Sequence, residues 1–357
     1  MVETFLMPFT LRLPMKLLQF QQYLKLKKIS LALLTHPDPN ITYFTQMKPS
    51  YSFLLITPDK ATLYLTALDK LPKIKGINVK SLTKNWSQNI RATSIGINKS
   101  SLAVASLERI KKIFPKAKFV DISAKLEELR EEKTPEEIEK IAKACKLTSD
   151  AFAALLQELP RKTLHTEQDV ALFLEKNIRQ HGGEIAFPTI AAMGKNAATP
   201  HHVTATCPLT RGFLVLDFGA SYEHYCADMT RTIFLGKPSM QEKKLYNLLL
   251  TSQQAAIDAA HPGVSFMDLD KVARQKLGKY SKYFIHSLGH GIGLEVHEGT
   301  QYRDKKGKVN KNVVFTIEPG IYIPGKVGLR IEDTLVIGGR KKILTTASKE
   351  LISIPFS

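Results

Sequence analysis

Little in this chain offers a covalent staple or a membrane anchor. Only three cysteines occur, Cys145, Cys207 and Cys226, widely spaced and without a CxxC pair. That argues against a disulfide framework and against a zinc knuckle, and it fits a reducing, cytoplasmic setting. No apolar run reaches the ~18 residues of a membrane span, so no membrane association is expected. The opening residues, MVETFLMPFTLRLPM, lack the basic-then-apolar order and the small-residue cleavage site of a signal peptide. They read as a loose extension. Acidic residues are also short: 33 Asp and Glu stand against 51 Lys and Arg, a formal net charge of +18. A basic excess admits a nucleic-acid partner. Here the lysines are spread along the chain, and the densest basic stretch, 303–311 (RDKKGKVNK), reads as a solvated loop. The charge is taken as a statement about solubility, and nucleic acid is not an expected partner.

What is present is ordinary globular composition, 43% hydrophobic and 24% charged over 357 residues, enough for two cored domains. Residues 1–124 read as a small α/β domain, with a helix over Met15–Lys27, a strand over Ser30–Thr35, a turn over Pro37–Asn40 and a hairpin of Tyr51–Thr57 with Ala61–Thr66. The charged stretch beginning at Lys125 marks a boundary, and residues 125–357 form the second domain. Helix starts are legible there as capping signals, at Thr134-Pro135-Glu136-Glu137, Thr166 to Asp169, Ser239 to Glu242 and Ser265 to Asp268. The order helix, helix, irregular segment, acid-bearing hairpin then occurs twice, at a period of roughly a hundred residues, too long for a solenoid repeat. This is a single domain of two related halves, and groups equivalent in the halves should meet at their interface.

The first hairpin lies in Phe213–Thr232 (FLVLDFGASYEHYCADMTRT). Its apolar strand ends on Asp217, and its return strand carries Asp228, Thr230 and Thr232. The second lies in Val313–Ile337, where Glu318 ends an apolar strand and Arg330, Glu332 and Thr334 share one face of the return strand. Either hairpin alone could simply expose two acids. If the halves pack face to face, four carboxylates meet in one interior, where they would repel and resist ionisation unless cations neutralise them. Between the hairpins, HSLGHGIGLEVHEG supplies His286, His290 and His297 among glycines that admit close backbone approach. The matching place in the first half holds His201 and His202.

Six motifs in this order, NAATPHHV, LDFGA, ADMTRT, HSLGHGIGLEVHEG, TIEPGIY and RIEDT, resemble the signature of pita-bread-fold metallopeptidases of the M24 type, in the prolidase and aminopeptidase P branch. Over 15–121 a weaker resemblance extends to the creatinase-like amino-terminal domain. The implied fold class is α+β, a small α/β amino-terminal domain followed by a pseudo-two-fold pita-bread domain. The resemblance implies that Asp217, Asp228, His290, Glu318 and Glu332 bind two divalent metal ions, with Asp228 and Glu332 bridging. It implies that His201, His286 and His297 contact substrate and stabilise the tetrahedral intermediate, and that Arg330 orients the bridging carboxylate. His202 stands where relatives often have a smaller residue and is left out of the site.

The implied reaction is hydrolysis of the Xaa-Pro bond of dipeptides by a metal-bridging hydroxide, with Glu318 shuttling the proton to the leaving nitrogen. An Xaa-Pro aminopeptidase acting on longer peptides is the first alternative. A methionine aminopeptidase and a non-enzymatic binding module for RNA or protein are the others. An oxygen-rich donor set with one histidine suits Mn²⁺ or Co²⁺, with Fe²⁺ or Zn²⁺ as further candidates. The family also suggests a homodimer.

Overall fold

A computed structural model describes residues 15–299 and 307–356. The chain divides into two compact units between Arg130 and Glu131. In the first unit a six-stranded sheet is built from β1 (Leu31–Thr35), β2 (Ser52–Ile56), β3 (Ala61–Leu65), β4 (Ile77–Ser81), β5 (Ser94–Ile97) and β6 (Lys118–Asp121) in the order β4-β3-β2-β1-β5-β6. Four helices accompany it, α1 (Met15–Leu26), α2 (Pro39–Thr45), α3 (Val104–Ile113) and α4 (Ser123–Glu131). The expected hairpin is present, with Phe53 opposite Tyr64. The turn expected over Pro37–Asn40 is largely the start of α2. The Asp38 side chain accepts from the Asn40 amide at 2.9 Å and Pro39 occupies the first helical position. Both features favour a helix start over a free turn.

The second unit repeats one plan. Helices α5 (Pro135–Glu158) and α6 (Glu167–Gln180) each open on a complete capping box, with Thr134 and Thr166 as the caps. Two short strands follow, β7 (Glu184–Ile185) and β8 (Ile190–Met193), and then the first hairpin. Its outer ladder pairs β9 (Gly212–Phe218) with β12 (Met229–Leu235), Asp217 lying opposite Thr230. The chain between them folds into an inner pair, β10 (Ala220–Tyr222) and β11 (Tyr225–Cys226).

Helices α7 (Met240–Ala259), again boxed by Ser239 and Glu242, and α8 (Phe266–Leu277) begin the second half. The second hairpin nests in the same way. An outer ladder of β13 (Val313–Ile317) and β16 (Asp333–Ile337) encloses β14 (Gly320–Ile323) and β15 (Val327–Arg330). Strand β17 (Lys341–Ile343) extends the outer ladder, and β18 (Ser353–Ile354) runs parallel to β12. Of the basic stretch, Arg303–Lys306 lies outside the described residues. Its continuation is pinned, since Val309 is buried and exchanges backbone bonds with Gly263 and Val264 at 2.7 and 2.9 Å.

Each half buries its own apolar layer. Phe152, Leu155, Leu174 and Ile178 of α5 and α6 meet Leu214, Leu216 and Phe218. Leu249, Phe266 and Leu269 of α7 and α8 meet Phe315, Ile317 and Leu335, with Phe266 edge-on to Phe315 at 5.3 Å between centroids. Each such side chain contributes about 1.5–3 kcal/mol on burial. Tight turns bring the acids to the ends of these layers. At Gly219 an added Cβ would stand 1.8 Å from the Ala227 carbonyl oxygen, so only glycine lets the two limbs of the first hairpin close.

The halves are stitched together strand to strand. The Glu332 amide donates to Thr230 O at 3.1 Å, Thr334 Oγ1 donates to Asp228 O at 2.8 Å, and Thr232 Oγ1 donates to Arg330 O at 2.7 Å. Arg231 crosses the same seam. Its guanidinium donates to the carbonyls of Thr230 and Glu332 and to Asp333 Oδ1 at 2.7 Å, with both side chains 1% exposed. Lys349 and Gln253 also donate to Asp333, at 2.8 and 3.0 Å. Against its own burial, the Arg231 and Lys349 charges hold the Asp333 carboxyl down at about 2. Removing one member of such a pair strands the other. Arg231→Leu is expected to cost about 3–5 kcal/mol in urea unfolding. A loss below about 1 kcal/mol would show that the seam does not depend on this pair.

Candidate metal centre

Asp217 is the last residue but one of β9, Asp228 precedes β12, Glu318 follows β13 and Glu332 joins β15 to β16. Asp217 therefore sits in the last-but-one pair of its ladder, opposite Thr230, and the other three acids lie just beyond strand ends. His290 comes from the glycine-bearing segment between α8 and β13. That segment lies along β13 through the Thr316 amide to His290 O at 2.8 Å and the Glu318 amide to Leu288 O at 2.7 Å. Gly289 permits the approach, since a Cβ there would fall 2.1 Å from Thr316 O.

These five side chains converge. His290 Nε2 lies 3.6 Å from Asp228 Oδ2 and 3.4 Å from Glu318 Oε1. Donor atoms of Asp228, His290 and Glu332 all fall within 4.8 Å of one another, and all three residues are buried. Arg330 Nη2 donates to Asp217 Oδ2 at 2.5 Å, and its Nε donates to Thr230 Oγ1 at 2.9 Å. Thr230 passes a hydrogen bond on to Glu332 Oε2 at 2.7 Å. Arg330 thus holds Asp217 directly and reaches the expected bridging acid Glu332 through Thr230.

One guanidinium does not balance four acids. Burial, then the charges of Glu332, Asp217 and Glu318, push the Asp228 carboxyl far above the usual carboxylate range. Burial and Glu332 do the same to Glu318. Burial and Asp217 push Glu332 up to about 8. The imidazole of His290 is driven the other way, to about 3, first by burial and then by His297, whose ring centroid lies 4.1 Å away. Its Nδ1 faces the Gly291 carbonyl at 3.2 Å, so Nδ1 carries the proton and the Nε2 lone pair points at the acids.

A lone pair aimed at carboxylate oxygens is repulsive unless a cation, or a proton on one of the acids, lies between them. Asp217 Oδ1, Asp228 Oδ1 and Glu332 Oε1 are buried and lack a hydrogen-bond partner. Orphaned oxygens on three acids, facing a neutral imidazole nitrogen, form a donor set of the kind divalent cations take. The residues present therefore fit a metal site.

Around this centre, His201 and His297 are exposed, and the nearby His201 adds to partial burial in lowering the basicity of His297. His286 stands apart with both ring nitrogens engaged, Nδ1 with Ser287 O and Nε2 with the Tyr322 hydroxyl, each at 2.8 Å. His202 has a structural partner. Its Nε2 lies 2.9 Å from Oε2 of Glu167, a fully buried carboxylate that also accepts from the Met193 amide at 2.6 Å and Asn196 Nδ2 at 2.8 Å. Glu167 so braces the loop that carries His201.

Tyr322, Glu167 and the Arg231–Asp333 pair escaped sequence reasoning. For Arg231 a signal existed, because an arginine inside an otherwise apolar strand, MTRTIFL, demands a buried acid. Asp333 stands beside Glu332 in the facing motif. For Tyr322 and Glu167 no local pattern marks the role.

Comparison with known proteins agrees with this geometry. The pattern of metallopeptidase family M24 matches residues 139–338, and the creatinase/prolidase N-terminal domain matches residues 16–131. The chain is 37% identical over 329 residues to an Xaa-Pro dipeptidase of Pyrococcus furiosus, covering 88% of this chain and 92% of the relative. Among solved structures, the prolidase of Pyrococcus horikoshii superposes with a TM-score of 0.88 at 34% identity, covering 95% of this chain and all of that one. The X-Pro aminopeptidase of Thermotoga maritima superposes at 0.86 with 32% identity, covering 93% of this chain and all of that one. With a family pattern across most of the two-half unit and relatives aligned along nearly the whole chain, this protein belongs to metallopeptidase family M24.

Proposed function

We propose that this protein is an Xaa-Pro dipeptidase that uses two divalent metal ions, with Asp217, Asp228, His290, Glu318 and Glu332 as the ligands. The observation that carries the reading is the convergence of acids from both halves on the His290 lone pair, with three carboxylate oxygens left without partners. Similarity to Xaa-Pro dipeptidases along about nine-tenths of the chain supplies the substrate class. When bound, the ions polarise the scissile carbonyl and make a water acidic enough to serve as nucleophile near neutral pH.

The chain's own groups do the rest. Arg330 fixes Asp217, and Thr230 fixes one oxygen of Glu332, leaving the other directed into the site. Glu318, whose basicity burial and Glu332 raise, accepts a proton from the attacking water at a carboxylate oxygen and returns it to the proline nitrogen. His201 and His297, on the exposed side, donate to the oxygen that becomes negative. Mn²⁺ or Co²⁺ is the proposed occupant, because oxygen donors dominate the set. A reducing cytoplasm suits three cysteines that form no disulfide, and a homodimer is the proposed assembly. The described residues contain no helix long and apolar enough to cross a membrane.

The expected substrate profile is hydrolysis of Ala-Pro and Met-Pro in added Mn²⁺ or Co²⁺, and little cleavage of Ala-Pro-Ala. Preference for the tripeptide would move the reading to an Xaa-Pro aminopeptidase. Asp228→Ala is expected to lower kcat/KM by at least about a thousandfold, the scale on which loss of an electrostatic stabiliser is felt. Retention of most activity would remove Asp228 from the site.

Metal removal gives a second test, read on stability. The unfolded carboxylates titrate near 4.3, whereas Glu332 titrates at about 8 in the fold, so the folded state holds the extra proton between those values. That stabilisation is lost as pH rises towards 8. The buried imidazoles of His286 and His290, lowered to about 4 and about 3, oppose that trend only below the ordinary histidine value of about 6.5. Metal-free protein should therefore lose melting temperature between about pH 6.5 and 8, and the hairpin at Phe213–Thr232 should lose order first. Saturating Mn²⁺ should remove the slope. A melting temperature independent of both metal and pH would contradict the proposed cage.

A further inference from the structure

The basic excess is not shared evenly between the two units. Residues 1–130 hold 21 Lys and Arg against 8 Asp and Glu, whereas residues 131–357 hold 30 against 25. Along the sequence these cations are scattered. The fold of the first unit gathers them.

In its sheet, β1, β3, β4, β5 and β6 all run the same way, and β2 alone runs against them. Five strand starts therefore share one rim. Ala61 lies opposite Ile77, Leu31 opposite Ile95, and Ser94 opposite Lys118. Each start brings a cation. Lys28 precedes β1, Lys60 precedes β3, Lys75 precedes β4 and Arg91 precedes β5, while Lys116 precedes β6 and Lys118 begins it. Hydrogen bonds tie neighbouring starts together: Ser94 Oγ donates to Lys28 O at 3.0 Å, and the Lys118 amide donates to Thr93 O at 2.9 Å. All six residues are exposed, and among the described residues none of the six forms an ion pair.

The acids of the sheet are placed elsewhere. Asp38 and Asp69 follow β1 and β3, and Asp121 ends β6, so all three lie at the far rim, where Asn98, Ser50 and Ser123 donate to them. Among the described residues, only Asp59 in the β2–β3 turn shares the rim with the cations. Helix ends account for two members of the set, since cations favour the carbonyl end of a helix. Lys28 follows α1 and Lys116 follows α3, but Lys60, Lys75 and Arg91 follow no α-helix directly.

Crowding like charges costs self-repulsion, which a polyanion laid along them relieves. Six strands at a spacing of about 4.8 Å make the rim about 24 Å long, a line of charge and not a plane. That is the shape of a phosphate backbone. A bilayer surface would call for an apolar face, and the exposed apolar side chains of this region, Leu26 and Ile113, come singly from two helix ends. Among the described residues no exposed aromatic ring stands at the rim to stack a base. Five of the six cations are lysines, point charges without the planar fork of arginine.

We propose that this rim docks duplex nucleic acid, with Lys28, Lys60, Lys75, Arg91, Lys116 and Lys118 along its phosphate backbone and no base sequence read. The inference uses residues of the first unit alone and does not rest on the peptidase reading.

The test follows the anisotropy of a fluorescein-labelled DNA duplex of about 20 base pairs with the full chain, from about 50 to 200 mM NaCl. Wild type should bind two duplexes of unrelated sequence equally, log K falling with log[salt] by about 0.9 per phosphate engaged. Lys28→Ala, Lys60→Ala, Lys75→Ala and Lys118→Ala combined should weaken binding at least about tenfold and flatten that slope by about 3 to 4. Lys243→Ala, Lys244→Ala, Lys276→Ala and Lys326→Ala combined remove the same charge from exposed positions of the second unit, and should weaken binding less than about threefold. Thermal melts of both quadruple variants should overlay that of the wild type. If the rim variant melts early, Lys60→Ala and Lys75→Ala decide singly, each flattening the slope by about 1. Wild type without salt-sensitive binding, a rim variant that binds as the wild type does, or equal losses in the two quadruple variants would overturn the proposal. Capture by phosphatidylserine vesicles without duplex binding would give the rim to a membrane and overturn it as well.

Discussion

Mutual repulsion of buried acids is the constraint around which the second unit is arranged. Asp217, Asp228, Glu318 and Glu332 come from four different strand ends, and neither half of the chain could assemble them alone. Burying them, and then bringing them together, raises the carboxyl groups of Asp228, Glu318 and Glu332 above their ordinary range, an energetic burden that the surrounding fold must carry. The seam carries it. Threonines at 230, 232 and 334 exchange hydrogen bonds with the opposite half, and Arg231 pins the two acid-bearing backbones to each other. Behind them, Asp333 is paired with Arg231 and Lys349.

This arrangement separates structural charge from functional charge. Arg231 and Asp333 satisfy each other, whereas the four acids in front have a single arginine and keep three oxygens unpartnered. Arg330 is the link between the layers. It steadies Asp217 and Thr230 on one side and receives its own orientation from Tyr322 on the other. Divalent cations, which family membership implies, are what such an electron-rich cavity lacks.

Much of this was legible because it is local or repeats. The capping boxes at Thr134, Thr166 and Ser239 lie within four residues of sequence each and form as expected. The two acid-bearing hairpins and their matching order could be read from apolar strands that end on carboxylates, and the facing of Arg330, Glu332 and Thr334 from strand alternation. What stayed hidden depends on partners far apart in sequence. The Arg231–Asp333 pair joins one half to the other, and the Glu167–His202 contact joins a helix start to a later loop. The inner hairpins were also missed: Tyr222 to Tyr225 carries no Asn-Gly or Asp-Gly turn signal, and the Pro324-Gly325 signal between Ile323 and Val327 was passed over. His286 was read from its motif, and its hydrogen bonds could be known only once Tyr322 was in place. The early stretch at Phe213–Thr232 is accordingly half of a site whose other half lies about a hundred residues later.

Stoichiometry of metal binding bears most directly on the claim that acids from both halves form one cage. Titration calorimetry of metal-free protein with Mn²⁺ should find two ions per chain, and Glu332→Gln, altering a single acid of the second half, should weaken both. Binding of one ion, or loss of one ion while the other binds at wild-type affinity, would mean that the halves hold separate sites and would contradict the account.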